Sequence, residues 1–154
     1  MLIRPWYSND IITCATIARQ ASDVQAWNQA AYEQSFIAGD WGWLAGNEYE
    51  HFGCLIARPG VDSVDLLDLQ VIPARQRQGV ASALITHLLQ CCQRQARPQV
   101  FIEVRKSNQA AIELYRGYGF AHVGERQSYY QALGAHGAEA ALVMAWQPGL
   151  HDIN

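Results

Sequence analysis

The sequence predicts one α/β domain, residues 1–154, built on a mixed sheet with helices on both faces. A chain of 154 residues can bury roughly two thirds of the surface that it exposes when unfolded. Half of the residues are hydrophobic and five are tryptophan, which favours a packed core over disorder. Strand-like and helix-like periods alternate along the chain without a linker or an internal repeat.

The chain is predicted to begin with a short strand and two helices. Residues 2–6 form the strand, and Ser8 or Asn9 caps the helix that follows it. A second helix is predicted over residues 24–38.

A hairpin and a further strand come next. Residues 41–45 and 49–58 have the composition of strands, and the turn residues 46–47, Gly-Asn, separate them. Residues 63–72 form a third strand in this region, which ends at Pro73 because proline cannot donate to the ladder.

The second half alternates helices and strands. From Gly79 the apolar period becomes helical, as expected for a helix that packs on a sheet. The remaining elements are three strands and one helix. These are strands over residues 100–104, 121–126 and 141–146 and a helix over residues 108–118.

Composition and charge exclude several classes of protein. The net charge of −3 argues against a nucleic-acid-binding protein, which usually carries a basic patch. No apolar run approaches the roughly 20 residues of a membrane span, so no membrane partner is expected. Residues 1–5 lack the layout of a signal peptide, and we therefore expect a cytoplasmic protein.

Cysteine and histidine spacing predicts neither disulfides nor a metal site. The four cysteines show no C-x-x-C spacing, and two of them are adjacent in a helical pattern, so we expect reduced thiols. The five histidines are scattered without an H-x-x-x-H pair. The cysteines are Cys14, Cys54, Cys91 and Cys92.

Residues 71–81, VIPARQRQGVA, join an apolar strand to a glycine-bearing turn and an amphipathic helix. Glycine lets the backbone approach a ligand closely, and the first helical N–H groups point at an anion along the positive end of the helix dipole. Arg75 and Arg77 add positive charge. The pattern predicts a phosphate site, with a purely structural helix start carrying solvated arginines as the alternative.

Residues 101–120 carry polar groups that could take part in chemistry. Glu103 lies in an apolar strand, where a carboxylate is costly unless it faces a wet cleft or pairs with Arg105. Asn108 stands at a helix start, where it could be an N-cap. Tyr115 could be a partly buried core tyrosine.

Two motifs in these stretches resemble the GCN5-related N-acetyltransferases (GNAT). The order Q-R-Q-G-V-A is similar to the family's acetyl-CoA pyrophosphate loop, with Gln76, Gly79 and Ala81 at its defining positions. The order E-V-R-x-S-N-x-x-A-I-x-L-Y-x-x-x-G-F, followed by Arg126 and a tyrosine pair, resembles the RimI family of ribosomal-protein alanine N-acetyltransferases. The resemblance covers about residues 64–146 and is weak over the first 60.

The resemblance implies a GNAT fold, a cofactor and an acceptor. The fold has a mostly antiparallel sheet of six to seven strands, splayed at the acetyl-CoA site. Acetyl-CoA is the expected co-substrate and no metal is expected. The acceptor is a protein N-terminus, with the N-terminal alanine of a small-subunit ribosomal protein as the family's implied substrate.

The chemistry of acetyl transfer and the same resemblance together assign residue roles. Glu103 is the expected general base and Tyr115 the expected general acid. Asn108 contacts the pantetheine arm, and Tyr129 with Tyr130 helps to frame the acceptor, although paired tyrosines are also common cross-strand packing residues. The other residues implied at the cofactor are Leu69, Gln70, Val71, Gln76, Arg77, Gln78, Gly79, Val80, Ala81 and Ser82.

Departures from the family leave two rival interpretations open. Residues 131–140 are longer and more apolar than the corresponding RimI turn, and the helices before residue 40 lack the family's Pro-Trp pair. A small-molecule amine acceptor is one rival, and a non-catalytic acyl-CoA-binding module is the other. The sequence predicts no oligomeric state.

Overall fold

The computed structural model describes residues 1–21, 26–130 and 139–147, with residues 128–130 described by their backbone alone. Its described residues form seven strands and four α-helices, with short 3₁₀ turns at Ser8–Asp10 and Pro73–Arg75. In chain order they are β1 Leu2–Pro5, α1 Ile11–Ala21, α2 Gln29–Ile37, β2 Trp41–Gly46, β3 His51–Pro59, β4 Ser63–Val71, α3 Val80–Arg94, β5 Gln99–Arg105, α4 Gln109–Gly117, β6 Ala121–Tyr130 and β7 Glu139–Trp146.

The first of two compact units comprises Met1–Pro59 and Leu66–Cys91. Its strands follow the order β1-β2-β3-β4, and β1 pairs antiparallel with β2. The predicted hairpin is confirmed, because β2 and β3 pair antiparallel from Trp41 opposite Ala57 onward. The backbone after β4 continues this order, since Ile72 N donates to Phe52 O at 3.0 Å.

The core of the first unit lies where the two amino-terminal helices meet β2 and β3. The buried face of α1 presents Cys14, Ile17 and Ala18, spaced three and four residues apart as on one side of a helix. They belong to one apolar cluster with Leu44 of β2 and side chains of β3 and α2. Burial of this stripe holds α1, because isolated helices of this length are marginal in water.

The second unit comprises Gly60–Asp65 and Cys92–Asn154, described as far as residue 147. Its carboxyl-terminal strands follow the order β5-β7-β6, so the last strand among the described residues lies between the other two. Both pairings are antiparallel, with Glu103 of β5 opposite Val143 of β7. Alternate residues of β5 are buried, which is the strand period of two.

These elements confirm the predicted α/β class and the mostly antiparallel pairing of its strands. Two of the predicted helix starts are wrong. Ser8 and Asn9 do not cap α1; they lie in a 3₁₀ turn in which Asp10 accepts a hydrogen bond from Tyr7 N. The second helix begins at Gln29 rather than residue 24, because Asn28 caps it by accepting from Ala31 N.

Other predictions about the chain as a whole have mixed outcomes. Residues 24 and 25 of the predicted second helix lie outside the described residues. All four cysteines are free, as predicted, and three of them are buried. No helix among the described residues is long and apolar enough to cross a membrane. The single-domain assignment of residues 1–154 stays a prediction.

Gly42 in β2 gives a test of packing in the first unit. A Cβ at this position would lie 2.5 Å from Cδ2 of Trp6, whose ring is buried and whose Nε1 donates to Asp40 O. We expect Gly42→Ala to lower the free energy of unfolding by about 1–3 kcal/mol, because the ring must shift within a packed core. Urea denaturation measures the difference.

Gly117 at the end of α4 is the matched control, because a Cβ there would meet nothing within 4 Å. Alanine at this position should leave stability unchanged or raise it by up to about 1 kcal/mol through its better helix propensity. Equal effects of the two substitutions would contradict the steric explanation.

Candidate active site

In the first unit, two glutamine side chains fix the turn that follows β4. Gln76 Nε2 donates to the carbonyl oxygen of Val71 at 3.0 Å, and Gln78 Nε2 donates to that of Ala74 at 3.1 Å. The first bond joins Val71, a predicted cofactor residue at the end of β4, to Gln76, a predicted cofactor residue of the turn. The other two cofactor residues predicted in this strand, Leu69 and Gln70, directly precede Val71.

The turn reaches the start of α3 through left-handed backbone. Arg77 has φ of 62° and Gly79 has φ of 85°. A Cβ at Gly79 would meet nothing within 4 Å, so glycine is required here by its conformation and not by space. The glycine turn was predicted, whereas the left-handed Arg77 was not.

The first turn of α3 presents backbone donors at the end of this loop. Val80, Ala81 and Ser82 form that turn, and Ala83 N makes the first backbone hydrogen bond of the helix, to Gly79 O at 3.0 Å. The N–H groups of Val80 and Ala81 precede this bond and therefore have no partner within the helix. Such donors, together with the helix dipole, favour an anion.

The two arginines of the turn differ in what they contact. Arg75 forms an ion pair with Glu50, and its guanidinium lies 4.8 Å from the ring centroid of Phe52. Arg77 is exposed and makes no hydrogen bond or ion pair with the described residues. Arg77 is therefore the cation of this turn that remains available to an anionic ligand.

In the second unit, Glu103 pairs with Arg126 and not with Arg105. Arg126 Nη1 donates to Glu103 Oε1 at 2.8 Å, and the Glu103 side chain is 30% exposed. The predicted alternative pair with Arg105 is wrong, because Arg105 instead donates to Glu139 at 3.2 Å. Ala141 of β7 stands opposite Arg126, so this guanidinium can reach across a small side chain to β5, whereas the partner of Arg105 lies in β7 itself.

Glu139 has a role in the second unit that the sequence did not reveal. Its carboxylate accepts from Ser107 N at 2.6 Å as well as from Arg105. These hydrogen bonds hold the pKa of Glu139 below its ordinary value, and the bond from Ser107 contributes most. The residue thus ties the end of β5 to the start of β7, across 32 positions of sequence.

Asn108 and Tyr115 occupy the two ends of α4. Asn108 caps the helix through Oδ1, which accepts from Ala111 N at 3.2 Å, so its capping role is confirmed and its Nδ2 is not used in the cap. Tyr115 is 5% exposed and packs edge-on against Phe120, with ring centroids 5.5 Å apart. Its packing role is confirmed, and its role as an acid stays a prediction.

The predicted acceptor residues lie at the end of β6. Tyr129 and Tyr130 are in this strand, which is longer than the predicted 121–126, and Tyr130 stands opposite Glu139 in the register. Their side chains and residues 131–138 of the predicted acceptor loop lie outside the described residues.

The first unit also holds a buried polar cluster around Asp68 of β4. Asp68 is 7% exposed, Tyr32 Oη donates to its Oδ2, and Gln70 Nε2 donates to its Oδ1 at 2.9 Å. Burial raises the pKa of Asp68 to about 6. The sequence carried a signal for this cluster, because Asp68 shares its strand alternation with the apolar Val64 and Leu66.

Among the residues that the structure describes, no three histidine, cysteine or acidic side chains are grouped so as to hold a metal ion. The described donors of the turn are backbone amides and a guanidinium, which are ligands for anions.

Comparison with known proteins agrees with these features. The model of the Acetyltransferase (GNAT) family matches residues 7–120. The [Ribosomal protein bS18]-alanine N-acetyltransferase of Escherichia coli K12 is 38% identical over 85 residues, which cover 55% of this chain and 56% of that protein. The N-alpha-acetyltransferase RimI of Mycobacterium tuberculosis is 42% identical over 65 residues, covering 42% of this chain and 39% of that protein.

A solved structure extends the similarity over most of the chain. The crystal structure of the ribosomal-protein-S18-alanine N-acetyltransferase from Escherichia coli has a TM-score of 0.87 and 26% identity. It covers 95% of this chain and 92% of that one. In sequence, the chain spans about half the length of the relatives that it matches.

The fold is that of an acetyltransferase. The family model covers most of the chain, and the chain belongs to the GNAT acetyltransferase family. Within that family it is similar to the RimI-type enzymes, as the sequence motifs predicted.

Proposed function

We propose that the chain is an acetyl-CoA-dependent N-α-acetyltransferase that acts in the cytoplasm on a protein N-terminus. The N-terminal alanine of a small-subunit ribosomal protein is the proposed acceptor, by analogy with the named activity of the relatives. The observation that carries the proposal is the turn from Gln76 to Ser82, whose left-handed Gly79 leads into the first turn of α3.

The proposed cofactor contacts follow from the donors of the turn, of Asn108 and of the end of β4. Backbone N–H groups at the start of α3 and the guanidinium of Arg77 bind the pyrophosphate, while Gln76 and Gln78 keep the turn in place. Asn108 offers its Nδ2 to the pantetheine arm, because its Oδ1 serves the cap. The strand-end N–H groups proposed for the thioester carbonyl are those of Leu69, Gln70 and Val71.

The proposed chemistry is direct transfer of the acetyl group to a neutral amine. An α-ammonium has a pKa of about 7.7–8.0 and must lose a proton before it attacks. Glu103 accepts that proton, directly or through one water, while Arg126 holds the carboxylate in position. The C–S bond breaks as the amide C–N bond forms, and Tyr115 protonates the departing thiolate. No residue becomes acetylated.

The first prediction for this function concerns cofactor binding. We expect Gly79→Val to raise the Kd for acetyl-CoA at least about tenfold, because a β-branched residue resists the left-handed backbone that presents the donors. Arg77→Ala should weaken binding less, since an exposed charge contributes modestly. Isothermal titration calorimetry measures both.

Gly39 is the matched control for this substitution. It also has a positive φ, of 82°, and a Cβ there would meet nothing within 4 Å. Gly39→Val should therefore lose a similar amount of stability while it binds acetyl-CoA normally. Unchanged affinity in the Gly79 variant would contradict the phosphate site and the function built on it.

The second prediction concerns proton transfer. Glu103→Gln retains an acceptor for Arg126 but cannot take a proton, so kcat should fall by about 10²- to 10⁴-fold with acetyl-CoA affinity nearly intact. A higher pH should partly restore the rate, because more of the amine is already neutral. Steady-state kinetics across pH measures both effects.

Glu125 provides the control, since its exposed ion pair with Lys106, at 3.5 Å, belongs to the same unit. Glu125→Gln should leave turnover unchanged. Tyr115→Phe keeps the ring contact with Phe120 and should lower turnover without loss of cofactor binding. A Glu103→Gln variant with normal kcat and lower stability would show that the carboxylate serves only Arg126.

The third prediction concerns the acceptor. A peptide with a free N-terminal alanine should be acetylated at its α-amine, and the same peptide with a blocked N-terminus should not react. The α-ammonium loses its proton about 2.5 pH units more easily than a lysine side chain, so internal lysines should stay unmodified. Mass spectrometry of the products locates the acetyl group.

Free amino acids and polyamines serve as competing acceptors in the same assay. Faster acetylation of a small amine than of any peptide would replace the protein acceptor by a small-molecule one. Acetyl-CoA binding without acetylation of any amine would support a non-catalytic binding module.

A further inference from the structure

The buried carboxyl of Asp68 is held without a cation. Its two oxygens accept from Tyr32 Oη and Gln70 Nε2, both of which are neutral donors. Cys54 of β3 lies close, with Sγ 4.0 Å from Tyr32 Oη. A buried carboxylate without an ion pair costs stability, so this arrangement is not explained by stability alone.

Asp68 fixes the orientation of the Gln70 side-chain amide, that is, which of its two polar atoms, Nε2 or Oε1, faces the carboxylate. An ionised carboxylate only accepts hydrogen bonds, so the amide nitrogen of Gln70 must face it. The amide oxygen, Oε1, then turns away and accepts no hydrogen bond from the described residues. Gln70 is half-buried, whereas Asp68 is buried.

The position of Gln70 in β4 places this acceptor next to the anion-binding turn. It precedes Val71, whose carbonyl oxygen accepts from Gln76 of the turn. An oriented hydrogen-bond acceptor therefore stands one residue from the point where the strand meets the loop.

We propose that Gln70 Oε1 accepts a hydrogen bond from the α-amino group of the incoming acceptor and that Asp68 is the positioning residue that fixes this orientation. The inference rests on the proposed function, which brings an amine to the thioester at the end of β4. Tyr32 of α2 completes the arrangement by holding the second oxygen of Asp68.

The arrangement has a definite dependence on pH. The groups that face Asp68 are Tyr32, Gln70 and Cys54, and Cys54 itself contacts Cys14 of α1. Burial raises the pKa of Asp68 to about 6. Below this pH the protonated carboxyl donates to Gln70, the amide reverses, and Nε2 turns outward against the ammonium. The KM for the amine should then rise more than protonation of the amine alone requires.

Isosteric substitutions test the orientation at neutral pH. In Asp68→Asn, Tyr32 donates to the new amide oxygen, so the new amide nitrogen faces Gln70 and reverses it. The KM for the peptide amine should rise roughly 10- to 100-fold, as expected for loss of a hydrogen bond to a charged group. The values of kcat and of the acetyl-CoA Kd should change little, and the extra pH dependence near 6 should vanish.

A double variant distinguishes this role from a structural one. In Asp68→Asn with Gln70→Glu, one carboxylate oxygen accepts from the asparagine and the other points outward, so the low KM should return. Asp40→Asn is the control for a buried aspartate, since Asp40 is also buried and is held by Arg58 and Ser35. It should lower the melting temperature and leave KM unchanged.

The outcomes separate this inference from the proposed function. An unchanged KM for the peptide amine in Asp68→Asn would overturn the positioning role, and so would a KM that stays high in the double variant. The proposed function would still stand in either case if the wild type acetylates the peptide. A wild type that acetylates no amine would overturn both.

Discussion

The backbone conformation at Gly79 is the constraint on which the first unit depends. The chain leaves β4 in an extended conformation and enters α3 only after two left-handed residues, Arg77 and Gly79. The Gln76 side chain fixes where this reversal occurs, because its hydrogen bond to the Val71 carbonyl joins the turn to the strand. The free N–H groups at the start of α3 are a consequence of this geometry, since any helix leaves its first donors unbonded.

A different constraint organises the second unit, where β7 lies between β5 and β6 although it follows both in the sequence. This order lets charged side chains of β5 and β6 reach each other across small residues of β7, as in the pair of Glu103 and Arg126. The same order places Glu139 at the end of β5, where its carboxylate accepts a hydrogen bond from Ser107 N. Pairing a carboxylate with a guanidinium orients it, which a proton acceptor requires.

Local patterns predicted much of the fold, and long-range pairing did not follow from them. The hairpin of β2 and β3 and the start of α3 at Val80 follow from periods and turn residues within short windows. The partner of Glu103 lies 23 residues away and depends on strand order, so the alternative pair with the nearer Arg105 was wrong. The start of α2 was missed because the cap, Asn28, was not recognised as the residue that begins the helix.

Two buried aspartates of the first unit show how a site differs from a structural contact. Asp40 accepts from two nitrogens of the Arg58 guanidinium and from Ser35, so its charge is compensated where it lies. Asp68 has only a phenol and an amide, and its pKa is raised to about 6 because burial outweighs those two bonds. A perturbed carboxyl in the strand that leads to the turn proposed for the cofactor is more typical of a functional site than of a stabilising contact. Since a hydrophobic residue could fill the same volume at lower cost, the carboxyl fits the orienting role toward Gln70 that we propose for it.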